Sequence, residues 1–119
     1  MITRLALDPG TANTLIYVKG RGLALNERSL VTVSAPTGRI EAVGRAAEAG
    51  LGRTPRRLRT VRPLRAGTIT DLGLFDGMIH RFLASARIRR PWPRFQAAIA
   101  IPGGTTEVER LALVESLRH

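Results

Sequence analysis

The residues with the most chemical content lie near the start of the sequence, in Asp8-Pro9-Gly10-Thr11-Ala12-Asn13. Gly10 lets the backbone approach an anion closely, the amides of Thr11, Ala12 and Asn13 can point into one concavity, and the side chains of Thr11 and Asn13 add donors. That is the outline of a phosphate cradle. Asp8 stands beside it as a carboxylate suited to a hard divalent cation such as Mg2+, held through water because magnesium keeps much of its hydration shell. The same residues also compose an ordinary turn, with Pro9 presetting one dihedral and Gly10 accepting another, and the motif by itself does not separate the two readings.

A second stretch, Arg87-Ile88-Arg89-Arg90-Pro91-Trp92-Pro93-Arg94-Phe95, places the only tryptophan and a phenylalanine among four arginines in a proline-broken segment. Trp92 and Phe95, with Arg90 and Arg94, either pack against their own domain or meet an anionic membrane interface, where aromatic rings flanked by cations have the right character. His80 has no second histidine or cysteine at ligand spacing and reads as a helix residue. Asp71 and Asp76 read as charges near a helix N-terminus, which suit its dipole, rather than as a catalytic pair.

Strands and helices must position these groups. Residues Ile2 to Leu7 and Thr14 to Val18 are apolar and rich in large or β-branched side chains, so the phosphate-loop candidate joins the two arms of a hairpin. Lys19-Gly20-Arg21-Gly22 supplies a tight turn before a third strand at Leu23 to Leu25, and Leu30 to Val33 and Ile40 to Val43 flank another hairpin signal, Ala35-Pro36-Thr37-Gly38. Arg45 to Leu51 is a short helix closed by Gly52, followed by a basic, loop-like stretch and a short returning strand near Ile69. Phe75, Met78, Ile79, Phe82, Leu83 and Ala86 fall three and four apart, which predicts an amphipathic helix from Leu72 to Ala86. Ala97 to Ile101 predicts a buried central strand, and Thr106-Glu107-Val108-Glu109 has capping-box spacing for a further helix. Three antiparallel strands, a small mixed insertion, then helix, strand and helix give an α/β layer.

Composition narrows the classes. At 119 residues with 44% hydrophobic content the chain is one modest domain or part of one. Cysteine is absent, which removes disulfides, thiolate ligands and cysteine nucleophiles. No run approaches the roughly 18 apolar residues of a membrane-spanning helix, and the N-terminus lacks a signal-peptide pattern, so a cytoplasmic protein is expected. The net charge is +10, with Lys19 the only lysine. Arginines spread along the whole chain are as consistent with coding bias as with a binding need, although either origin attracts phosphates and anionic lipid. Aromatics are 4%, too few for a series of base-stacking platforms, so nucleic acid is not the expected partner.

The segment Asp8-Pro9-Gly10-Thr11-Ala12-Asn13-Thr14-Leu15-Ile16-Tyr17-Val18-Lys19-Gly20 resembles the opening of the MreB family of bacterial actin-like, rod shape-determining proteins. The likeness continues in order through Leu25-Asn26-Glu27, Val43-Gly44, Leu51-Gly52-Arg53-Thr54-Pro55, Arg62-Pro63-Leu64, Gly67, Asp71, Ile101-Pro102-Gly103-Gly104 and Thr106 to Arg110. It implies an actin-like ATPase (ribonuclease H-like) fold, incomplete here, that binds ATP with Mg2+. It further implies self-association into filaments along the inner membrane surface and work with the cell-wall elongation machinery, in a cytoplasmic, membrane-associated location. By position, Gly10, Thr11, Ala12 and Asn13 match the first phosphate loop, and the loop with Trp92 matches one that dips into the bilayer. Residues 1–29 and 68–119 resemble the first part of the large subdomain, and 30–67 the small insertion subdomain.

Departures from the family pattern matter as well. Pro9 replaces a residue able to donate an amide, which predicts a disturbed hairpin ladder. Arg28 stands where proline is usual, Ala66 where an acidic residue is usual, and Gly103-Gly104 makes a loop more glycine-rich. The family's second phosphate loop and its catalytic acidic residue lie beyond the segment matched by His119, so a truncated member without ATPase activity of its own is expected. The competing expectation is a small basic module that binds nucleic acid or anionic lipid and keeps a vestigial nucleotide loop.

Overall fold

Strands β1 (Thr3–Pro9), β2 (Asn13–Val18) and β3 (Gly22–Arg28) form the expected antiparallel meander in the computed structural model, which describes residues 3–50, 57–88 and 95–99. Both arms of the first hairpin are longer than the turn composition suggests. Asp8 and Pro9 pair with Leu15 and Thr14, which leaves only Gly10, Thr11 and Ala12 between the strands. The disturbed ladder expected of Pro9 does not arise. Backbone bonds join Lys19 to Arg4 and Gly10 to Asn13, each at 2.9 Å. Alternation from those pairs puts Leu5, Leu7 and Pro9 where the backbone nitrogen points away from β2, so the missing N–H of proline removes nothing from this hairpin.

The period of two sorts the side chains. Leu5, Leu7, Pro9, Thr14, Ile16 and Val18 are buried, whereas Arg4, Asp8 and Tyr17 are exposed. Strand β9 (Phe95–Ile99) lies parallel to β1, with Thr3 opposite Phe95 and Leu7 opposite Ile99. The sheet order is β3-β2-β1-β9, so β9 stands at the end of the described sheet rather than at its centre and begins two residues earlier than the apolar run suggests.

A parallel neighbour requires a crossover, and helix α2 (Leu72–Ser85) supplies it. Asp71 caps that helix, its Oδ1 accepting from Leu74 N at 3.0 Å. Phe75, Met78, Ile79, Phe82, Leu83 and Ala86 are buried as predicted, and share one core with Leu5, Leu7, Ile16, Val18 and Leu25. Each such large side chain contributes about 1.5–3 kcal/mol by leaving water. An interior glycine costs a helix about 1 kcal/mol relative to alanine. At Gly77 a β-carbon would meet Ile40 Cδ1, the tip of a side chain that would have to turn aside.

A second sheet has the order β5-β4-β6. It is built from β4 (Val31–Ser34), β5 (Ile40–Val43) and β6 (Leu58–Val61). Strand β6 occupies part of the stretch read as a basic loop. Helix α1 (Arg45–Ala49) stops short of the expected Leu51, because Gly50 already caps it by donating to Ala47 O at 3.2 Å. Strands β7 (Leu64–Arg65) and β8 (Thr68–Ile69) form a hairpin over Ala66 and Gly67. The expected capping box at Thr106 to Glu109 lies outside the described residues.

Candidate functional site

At the tip of the first hairpin three carbonyls are tied and two amides are open. Ser29 Oγ donates to Gly10 O at 2.6 Å, Ser29 N donates to Ala12 O at 2.9 Å, and Gly10 N donates to Asn13 O at 2.9 Å. Among the described residues, the backbone amides of Thr11 and Ala12 find no protein acceptor. Both residues are exposed. Two adjacent amides left open in this way have the donor chemistry that an anion takes.

Gly10 is required by the closeness of the turn rather than by a positive φ, since a β-carbon there would stand 2.7 Å from Asn13 O, a backbone atom that cannot give way cheaply. Below the tip, Thr14 and Ser29 are fully buried and their hydroxyls are 2.8 Å apart. Ser29 gives its one hydroxyl proton to Gly10 O, so Thr14 must be the donor between the two. The loop thus rests on a buried relay of hydroxyls.

Its side chains are held as well. Thr11 Oγ1 accepts from Gly67 N at 3.3 Å, which brings the β7–β8 turn against the loop and leaves the threonine proton available. Asn13 Nδ2 donates to Asn26 Oδ1 at 3.1 Å, and Asn13 Oδ1 accepts from Arg28 Nη1 at 3.2 Å. One of Asn13's two amide protons therefore remains for a ligand. Arg28 Nε also meets Glu48 Oε2 on α1 at 2.5 Å.

Asp8 pairs with Leu15, which pairs with Asn26, and the pleat puts these three on one face, a row away from Asn13 and Arg28. Asp8 is exposed there. Among the described residues no three His, Cys, Asp or Glu groups converge on a metal position, so a hydrated Mg2+ at Asp8 would need ligand phosphates to complete its shell.

The structure thus brings Gly10, Thr11, Ala12 and Asn13 together and sets Asp8 on the adjoining strand. Arg90, Trp92 and Arg94 lie outside the described residues, and Phe95 is placed only as the first residue of β9. No described helix is long and apolar enough to cross a membrane. His80 Nε2 lies 3.2 Å from Asp76 Oδ1, one turn away on α2. Thr14, Asn26, Ser29 and Gly67 are site residues that motif reading passes over. Thr14 did carry a signal, being the polar member of an alternation whose other members, Ile16 and Val18, are apolar. A polar group on a buried face calls for a partner.

The family model described as MreB/Mbl protein matches residues 2–119. The cell shape-determining protein MreB of Pasteurella multocida (strain Pm70) is 43% identical over 119 residues, covering 94% of this chain and 33% of that protein. The MreB of Escherichia coli (strain K12) is 41% identical over the same length, at 94% and 34% coverage. The cell shape-determining protein Mbl of Bacillus subtilis (strain 168) is 36% identical over 112 residues, again at 94% and 34%. The chain spans about a third of the length of these relatives. Among solved structures, MreB5 of Spiroplasma citri bound to AMPPNP superposes with a TM-score of 0.84 at 32% identity, covering 99% of this chain and 35% of that one. The ADP-bound form gives 0.84 at 34% identity, with the same coverage. The MamK double helical filament, at 20% identity and a TM-score of 0.77 over 99% of this chain and 38% of that one, shares the fold alone.

Proposed function

The chain belongs to the MreB/Mbl family and has its actin-like fold, and we propose that it supplies the first phosphate-contacting loop of an ATP-binding cytoskeletal protein of cell-shape determination. The observation that carries this reading is the hairpin tip, with the amides of Thr11 and Ala12 open and the carbonyls of Gly10, Ala12 and Asn13 tied inward. Gly10 allows the close turn, Thr11 and Asn13 add side-chain donors, and Asp8 faces a Mg2+ bound with the nucleotide through water. AMPPNP and ADP in the related Spiroplasma structures support a nucleotide as the ligand.

The wider role rests on the family. It comprises self-association into filaments, work at the inner membrane surface with the cell-wall elongation machinery, and a cytoplasmic, membrane-associated location. Contact with the membrane falls to Trp92 and Phe95 with Arg90 and Arg94. Residues 1–29 and 68–119 form part of the large subdomain, and 30–67 the small one. Phosphoryl transfer depends on several converging elements for positioning and charge stabilisation, so this one loop does not turn over ATP unaided.

A competition experiment tests the reading. With a fluorescent ATP analogue and Mg2+ bound to the chain, ATP displaces the analogue at constant ionic strength. Binding that any polyanion displaces and that collapses with added salt would instead identify a basic module with a vestigial loop.

A further inference from the structure

We propose that Arg28 is a positioning residue that couples the phosphate loop to α1, its guanidinium being shared between Asn13 and Glu48 so that an oligophosphate on the loop competes with Glu48 for it. The proposal rests on the reading of the loop as an oligophosphate site.

Two separate donors of one side chain make the two contacts. Arg28 Nη1 reaches Asn13 Oδ1 at 3.2 Å, and Arg28 Nε reaches Glu48 Oε2 at 2.5 Å. The planar fork of arginine allows both at once, and lysine, with its single nitrogen, has no such geometry. Because arginine only donates, it fixes which end of the Asn13 amide faces it, and the other end donates to Asn26. Arg28 thereby decides how a loop residue presents its remaining N–H.

The other end of the link is equally specific. Consecutive residues of β3 hold the two ends of α1. Glu27 Oε1 accepts from Arg45 N at 2.7 Å at its start, and Arg28 holds Glu48 near its end. Gly44 lets the helix start lie this close, since a β-carbon there would collide with the Glu27 carboxylate. Release of Arg28 would loosen the far end of α1 while its start stays anchored.

Exchange is feasible because the pair is half in water, with side-chain exposures of 36% for Arg28 and 41% for Glu48. Exposed ion pairs contribute little to stability. An oligophosphate carries more negative charge than one carboxylate and presents it to the same fork. Linkage is reciprocal, so whatever the loop ligand draws from Glu48, Glu48 withholds from the ligand.

The test uses the 119-residue chain with MgATP and, separately, inorganic tripolyphosphate as probes. Glu48→Gln removes the competitor and keeps the shape, so it tightens binding about 5-fold or more, whereas Arg28→Gln weakens it about 10-fold, both within the usual span of site coupling. Hydrogen exchange of the α1 amides also quickens when tripolyphosphate saturates the native chain, and does not respond in Arg28→Gln. A pair that merely braces the fold would move both variants in the same direction and leave α1 exchange unchanged, which would overturn the coupling while the loop reading stands. Failure of the native chain to bind either probe would remove the loop reading and the coupling together.

Discussion

Ser29 Oγ donates to the carbonyl oxygen of Gly10 at 2.6 Å, and through that bond the end of β3 determines the conformation of the loop between β1 and β2. Ser29 is fully buried and has Thr14 as its second partner, so the bond between the two hydroxyls is closed to water. The arrangement turns acceptors into the protein and leaves donors outside. That polarity is what the proposed phosphate loop requires and an ordinary turn does not.

Removal of this hydroxyl should be expensive and non-additive. Ser29→Ala leaves the Gly10 carbonyl and the Thr14 hydroxyl without partners, and should destabilise the chain by about 1–3 kcal/mol. Thr14→Val on its own removes one donor and costs less. Combined with Ser29→Ala, it takes away the orphaned hydroxyl, so the double variant should lose less than the sum of the two. Urea denaturation of all four proteins checks this, and strict additivity would show that the hydroxyls do not act as a relay.

The β7–β8 turn offers the opposite change. Ala66 and Gly67 adopt φ of 51 and 77, the mirror-image turn that favours asparagine and glycine, and alanine at the first position is strained. Ala66→Asn should raise stability by about 0.5–1 kcal/mol, since a residue suited to left-handed φ avoids most of that strain. Gly67 N meets Thr11 Oγ1, so the same substitution should leave the loop contact in place. Thermal unfolding gives the answer, and an unchanged or lower Tm would mean that the turn is not as described.

These networks mark where the sequence is legible and where it is not. The face of α2 could be read because five apolar residues repeat with the helical period, and Asp71 because a cap is a local device. The loop residues Gly10 to Asn13 stood out for their types. Strand β6 was hidden because Arg59 within it and Arg57 just before it give the stretch the composition of a basic loop, although its pairing with β4 runs without a break from Leu58 to Val61. The strand ends at Asp8 and Pro9 were hidden by turn-forming residue types that a hairpin can tolerate where no ladder bond is needed. Contacts such as Ser29 to Gly10 and Gly67 to Thr11 join residues 19 and 56 positions apart, and no local pattern encodes them.

If the open amides of Thr11 and Ala12 receive the phosphates of a nucleotide, their own resonances report it. In two-dimensional amide spectra of the isotopically labelled chain, titration with MgATP should shift these two signals saturably, and the shifts should survive added salt. Shifts absent from both amides, or confined to the arginines of β6 and β7 and abolished by salt, would mean that the loop holds no phosphate.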